Sequence, residues 1–152
     1  MKTTKSPNHQ RHAFTKKSPN RQSSIITHCL AIDPTASSIT TPFQGKALWD
    51  TGATHSVVDD NVIKSLNLKS FGQAEIHGVN GPFMSDLYLL QFLLPNELIS
   101  RPLEISKGSL IEGVDMLIGM DIIGDGDFAI CGGQVFSFCI PPSDQPIDFV
   151  KD

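Results

Sequence analysis

The sequence predicts a mostly β fold, a small closed barrel of short strands with one or two short helices and a protruding glycine-rich hairpin. Three observations predict it. Glycine (12) and proline (10) are frequent among 152 residues, which suits many strands and turns better than a helical bundle. The apolar runs are short, partly β-branched and bounded by turn residues. Closing on itself is the natural way for a chain with so many short strands to protect their edges.

Each element has its own justification. Ser24–Ile32, "SIITHCLAI", is apolar and partly β-branched and reads as a strand stopped by Asp33-Pro34. "DPTASSITTP" is a polar loop, after which Phe43–Trp49 forms a second strand that delivers Asp50 at its end. Val58, Val62, Ile63 and Leu66 fall on one helical face, and Asp59 and Asp60 favour a helix start, so a short helix is expected near Asp59–Leu66. A hairpin follows, with Gly78, Asn80, Gly81 and Pro82 at its tip and Phe83–Leu94 as the long apolar return arm. Leu103–Ile105 and Met116–Ile118 read as further strands, with Gly119 at a close approach. Met120–Ile123 begins a short helix ended by Gly124 and Gly126. Phe128–Ile130 and Gln134–Ile140 close the domain as a hairpin around Gly132-Gly133.

Composition bounds the partners. Residues 1–22 hold Lys2, Lys5, Arg11, Lys16, Lys17 and Arg21 and no acid, leaving six basic against 16 acidic residues in the remainder. An acidic body is a poor nucleic-acid binder. The domain boundaries expected are a disordered basic tail over 1–22, one domain over 23–142 and a C-terminal tail over 143–152. The basic tail has no apolar core of a secretory signal, and no run of 18 apolar residues suggests a membrane span. Cys29, Cys131 and Cys139 are odd in number and form no C-x-x-C pair. They read as small buried apolar side chains in a reducing, cytoplasmic setting rather than as disulfides or a zinc site.

The stretch "LWDTGATHSVV" (48–58) ends an apolar strand on a carboxylate, which is costly in a buried setting unless something uses it. Leu48-Trp49-Asp50-Thr51-Gly52-Ala53 resembles the active-site signature of retropepsin-like aspartic proteases. The hairpin over His77–Pro82 stands where that family has its flap, and Leu117-Ile118-Gly119 matches its downstream apolar-apolar-Gly element. The likeness spans about residues 24–142 and is greatest to bacterial-type single-domain members, where "LIGMD" is familiar. It implies an aspartic endopeptidase needing no cofactor and no metal, with Asp50, Thr51 and Gly52 at the catalytic turn. Gly78, Val79, Asn80 and Gly81 would contact a peptide or protein substrate from the flap. Thr51 would hydrogen-bond across to the other half of the site. Trp49, where the family has an aliphatic residue, is a departure that would crowd the site or pack into the dimer.

Peptide hydrolysis by this route needs two carboxylates sharing one proton. The chain is too short for two lobes and carries no second D-T-G or D-S-G. Asp115 and Asp121 lack the following Thr-Gly, so the second carboxylate is expected from a second copy, making a homodimer.

Other polar residues have plainer readings. His55 and His77 read as exposed histidines. His28 and Cys29, adjacent in a strand, point to opposite faces. Asp121, Asp125 and Asp127 read as a solvated acidic turn, since the spacing fails a calcium loop. Two other functional classes remain: a fold-retaining, inactive dimer that binds or scaffolds peptides, and a platform whose working part is the basic tail.

Overall fold

The computed structural model describes residues 11–38, 40–144 and 150. Its elements run β1 (His12–Lys17), β2 (Ile25–Ile32), β3 (Phe43–Trp49), β4 (Val57–Val58), α1 (Asp60–Leu66), β5 (Gly72–Gly78), β6 (Gly81–Leu93), β7 (Leu103–Lys107), β8 (Met116–Ile118), α2 (Met120–Ile123), β9 (Asp127–Cys131) and β10 (Val135–Ile140).

Seven strands form one sheet in the order β2-β3-β8-β4-β7-β6-β5, and β6 also pairs back on β2. That extra pairing, Leu30↔Leu93 to Ile32↔Gln91, closes every strand but β5 into a barrel, as the sequence predicts. Alternation sets the inside: Thr27, Cys29 and Ala31 of β2, and Tyr88, Leu90 and Phe92 of β6, are buried on successive inward positions. His28 is exposed between Thr27 and Cys29, so the two neighbours do face opposite ways. Burial pushes the Cys29 thiol up to about 11.

Helix α1 starts where its cap says it should. The Asp59 carboxylate accepts from the amides of Asn61 (2.9 Å) and Val62 (3.3 Å), and Val62, Ile63 and Leu66 turn into the core. Strand β4 was not foreseen. Val57-Val58 lies between β7 and β8 and fills the barrel wall with one turn of chain, too short to leave a periodic signal.

A second sheet, β1-β10-β9, lies beside the barrel. The solvated tail expected over residues 1–22 is here corrected: His12–Lys17 is a strand, in register with β10 from His12↔Ile140 to Lys17↔Val135. Composition hid it because the strand is mostly polar and its backbone partner lies at the far end of the chain. One side chain anchors it. Phe14 packs against Trp49 (ring centroids 5.7 Å), Phe136 (5.4 Å) and Phe138 (6.3 Å). Asn96, buried in a barrel loop, donates to the His12 carbonyl at 2.9 Å and fastens the strand from the other side. Residues 1–10 and most of the C-terminal tail expected over 143–152 lie outside the described residues.

The cysteines are all free, but only Cys29 is buried. Cys131 is exposed and Cys139 half-buried, because both sit on the face of the second sheet turned away from the aromatic cluster. Among the described residues no helix is long and apolar enough to cross a membrane.

Two outcomes follow from this packing. Phe14→Ala removes three ring contacts and lowers unfolding free energy by about 2 kcal/mol, measured by urea titration. In the native chain at pH 8, iodoacetamide labels Cys131 ahead of Cys29, whose thiol stays protonated up to about 11; mass mapping after urea shows all three labelled.

Candidate functional site

Strand β3 ends on a turn that five hydrogen bonds to and from the distant segment 118–121 hold in place. The parallel pairing of Ala47, Leu48 and Trp49 with Met116, Leu117 and Ile118 continues one residue further, where the Asp50 amide donates to the Ile118 carbonyl at 2.9 Å. The Met120 amide donates to the Ala53 carbonyl at 2.8 Å. Ser56, fully buried, donates from its amide to one Asp121 carboxylate oxygen (2.8 Å) and from its hydroxyl to the other (2.7 Å). The same hydroxyl accepts from the Gly119 amide at 3.1 Å.

Asp121 is therefore no solvated turn aspartate, as its sequence surroundings suggest. It is half-buried and ties helix α2 to the turn after Asp50. Nothing local marks it, because its partner Ser56 is brought up only by the β3–β8 pairing. Gly119 explains how closely the two segments meet: a Cβ there would lie 2.8 Å from the His55 carbonyl carbon and oxygen and 2.9 Å from the Ala53 oxygen.

Within the turn, the Gly52 amide donates to an Asp50 carboxylate oxygen at 2.8 Å, and a Cβ on Gly52 would stand 3.1 Å from that oxygen. The half-buried Asp50 carboxylate thus has one fixed donor and one side open. Thr51 is exposed. Trp49 turns away from the cleft, its indole N–H donating to the Thr27 hydroxyl at 2.9 Å and its ring packed among Phe14, Phe128, Phe136 and Phe138.

Asp50 and Gly52 lie on a cleft of about 730 Å³ roofed by the β5–β6 hairpin. In that hairpin Gly78 pairs with Gly81 and His77 with Pro82, leaving Val79-Asn80 at the tip. Gly78 and Val79 line the cleft, while Asn80 and Gly81 complete the tip without lining it. The apolar walls were missed by sequence reasoning: Ile76 and Phe83, paired on the hairpin's inner side, together with Leu110 and Leu117. Counting outward from Asn80-Gly81 as the turn would have set Ile76 opposite Ser85; the hairpin instead turns one residue earlier, on Val79-Asn80, which pairs Ile76 with Phe83, and the contributions of Leu110 and Leu117 depend on barrel closure. His55 is exposed on the rim, and His77, also exposed, lines the cleft from β5 beside Glu75 (3.4 Å).

This arrangement invites comparison with known proteins. No protein-family description matches the sequence, and no curated protein matches it. Solved structures do match the fold. A retropepsin-like aspartic protease from Rickettsia conorii aligns over 86% of this chain and 90% of its own, with a TM-score of 0.58 at 13% identity. The chain has the retropepsin-like fold. The EIAV protease in complex with an inhibitor aligns over 70% of this chain and 88% of its own, at 21% identity and a TM-score of 0.45. The simian foamy virus protease aligns over 64% and 92%, at 17% identity and a TM-score of 0.43. Among the described residues no group of His, Cys, Asp and Glu is placed to hold a metal ion.

Asp121→Ala strands two buried donors of Ser56 and costs about 3 kcal/mol in urea unfolding. Asp121→Asn keeps one acceptor and loses less than half of that.

Proposed function

We propose that the chain is an aspartic endopeptidase acting as a homodimer, with Asp50 of each copy forming one shared-proton pair. The observation that carries this reading is an intact Asp50-Thr51-Gly52 turn, clamped from behind and open in front, on the floor of a cleft roofed by a glycine-bearing hairpin. A lone carboxylate cannot serve as acid and base in the same step. Two carboxylates in contact do not readily both ionise, so the pair holds one proton between them. The ionised member takes a proton from a water as the water attacks the scissile carbonyl. The protonated member donates to the carbonyl oxygen. The proton belongs to the pair, so the two chemically identical Asp50 groups exchange roles between steps.

The other residues have supporting roles in this reading. The Gly52 amide fixes the orientation of the Asp50 carboxylate. Thr51, exposed in the single protomer, reaches to the partner's turn. The flap tip at Gly78–Gly81 closes over a peptide or protein substrate and excludes water. Ile76, Phe83, Leu110 and Leu117 favour apolar substrate side chains around the scissile bond. The domain working in this way spans residues 23–142 together with strand β1. Free cysteines suit a reducing cytoplasm.

Cleavage of a denatured mixed protein substrate across pH 4–8, wild type beside Asp50→Asn, tests the proposal. The expected result is a bell-shaped pH profile for the wild type and a fall of at least about a thousandfold for the variant. A folded dimer that cleaves nothing at any pH moves the weight to an inactive peptide-binding module.

A further inference from the structure

The cleft that begins at Asp50 does not end at its own walls. Glu104 lines it from β7 and also lines a second concavity of about 280 Å³, together with Asp33, Leu68, Lys69, Phe71 and Leu89. The β6–β7 ladder explains the continuity. Leu87 faces Ser106 and Leu89 faces Glu104, two neighbouring pairs on the outer side of the barrel wall, since Tyr88, Leu90, Leu103 and Ile105 are buried on the other side. Leu87 and Ser106 line the cleft, Leu89 lines the further pocket, and Glu104 serves both. Two residues of extended chain cover about 7 Å, enough to pass from one concavity to the next.

The further pocket pairs an apolar wall with an unengaged carboxylate. Phe71 stands 55% exposed, while its amide donates to the Leu87 carbonyl at 3.1 Å and ties it to a residue of the cleft. A large ring left in water beside a concavity is surface that a bound apolar group would cover. Two of the charged groups already have partners. Lys69 donates to the Asn67 side-chain oxygen at 3.0 Å, and one Asp33 oxygen accepts the Thr35 amide and hydroxyl at 2.8 and 2.7 Å. The other charge on β7, Lys107, lies 3.8 Å from Asp60. Glu104 is exposed and, among the described residues, has no ion pair and no side-chain hydrogen bond. An apolar wall beside an unpaired carboxylate fits an apolar group next to a cation.

We infer that this pocket is an outlying substrate site, taking an aromatic or long aliphatic residue and a Lys or Arg from a chain whose scissile bond lies at Asp50. The inference rests on the protease reading and adds a substrate class to it. An extended chain leaving the cleft past Ser106 meets Glu104 next, and then the wall of Leu68, Phe71 and Leu89. The cation pairs with Glu104 while the apolar side chain covers Phe71. The two residues stand two apart in the substrate, because an extended chain shows alternate side chains to one face.

Two measurements test it, and they fail separately. In the first, acetyl-Phe-Ala-Arg-amide is titrated into the isotope-labelled full chain and the backbone amides are followed by NMR. The expected result is saturable shifts at residues 68–72, Leu89 and Glu104. Acetyl-Phe-Ala-Glu-amide then binds at least about fivefold more weakly, and Glu104→Lys weakens the Arg peptide by a similar factor. Phe71→Ala weakens both peptides; Glu104 and Phe71 are exposed, and far-ultraviolet circular dichroism checks that each variant keeps the fold. In the second, cleavage of a denatured peptide library is profiled by mass spectrometry. Peptides cut by the wild type carry Lys or Arg at one fixed position beyond the residues flanking the scissile bond, and Glu104→Lys erases that preference. A tripeptide that shifts none of these amides, or that binds the Glu104→Lys chain as tightly, overturns the site. Should the pocket bind the Arg peptide while the chain cleaves nothing, the pocket stands as a peptide site and the protease reading falls. Should the chain cleave with no preference beyond the bond's flanks, the protease reading stands and the outlying site falls.

Discussion

The short parallel contact between the end of β3 and β8 is the constraint on which the candidate site depends. Three residue pairs, Ala47–Met116 to Trp49–Ile118, bring together two segments that the chain otherwise keeps far apart. Parallel pairing needs a long crossover, and α1, the hairpin and β7 all lie within it. Bringing such distant residues together has an entropic cost that grows only slowly with loop length, so the crossover can carry the whole flap at little extra expense. Once the ladder is set, everything downstream is local. The Ile118 carbonyl receives Asp50, the Ala53 carbonyl receives Met120, and Ser56 and Asp121 close the remaining donors.

Trp49 and Asp50 divide two tasks between adjacent residues. Alternation along β3 sends the indole into the aromatic cluster shared with the second sheet, and the chain then leaves the strand so that the carboxylate emerges at the cleft. The second sheet is thus coupled to the Asp50 turn through one peptide bond. That coupling accounts for the large residue at position 49: the ring is accommodated because it faces the terminal strands and not the cleft.

Much of the fold was legible because its signals were local. Phe43–Trp49, Met116–Ile118 and Met120–Ile123 form over the ranges their apolar patterns mark. The Asp59 cap and the Gly132-Gly133 turn, with φ of 59° and 70°, are read from single residues. The Asp50-Thr51-Gly52 turn was legible for the same reason, since carboxylate, threonine and glycine are contiguous. What stayed hidden is held by pairing across the chain. Strand β1 has little apolar content and depends on β10. Val57-Val58 is two residues between two other strands. Asp121 gains its meaning only beside Ser56, and the cleft walls only once β6 has closed the barrel.

Strand β6 has a wider consequence. Its 13 residues pair with β5 at the flap, with β7 in the middle and with β2 at the barrel seam. Leu87 stands at the changeover, opposite Gly72 on one side and Ser106 on the other. One continuous backbone therefore sets both the roof of the cleft and the closure of the wall. Losing or gaining a single residue within it would reverse inside and outside at both ends together. The loops at 33–42 and 95–101 face no such double bookkeeping. Across related sequences, length variation should collect in those loops and leave β6 untouched, whatever happens to the side chains along it.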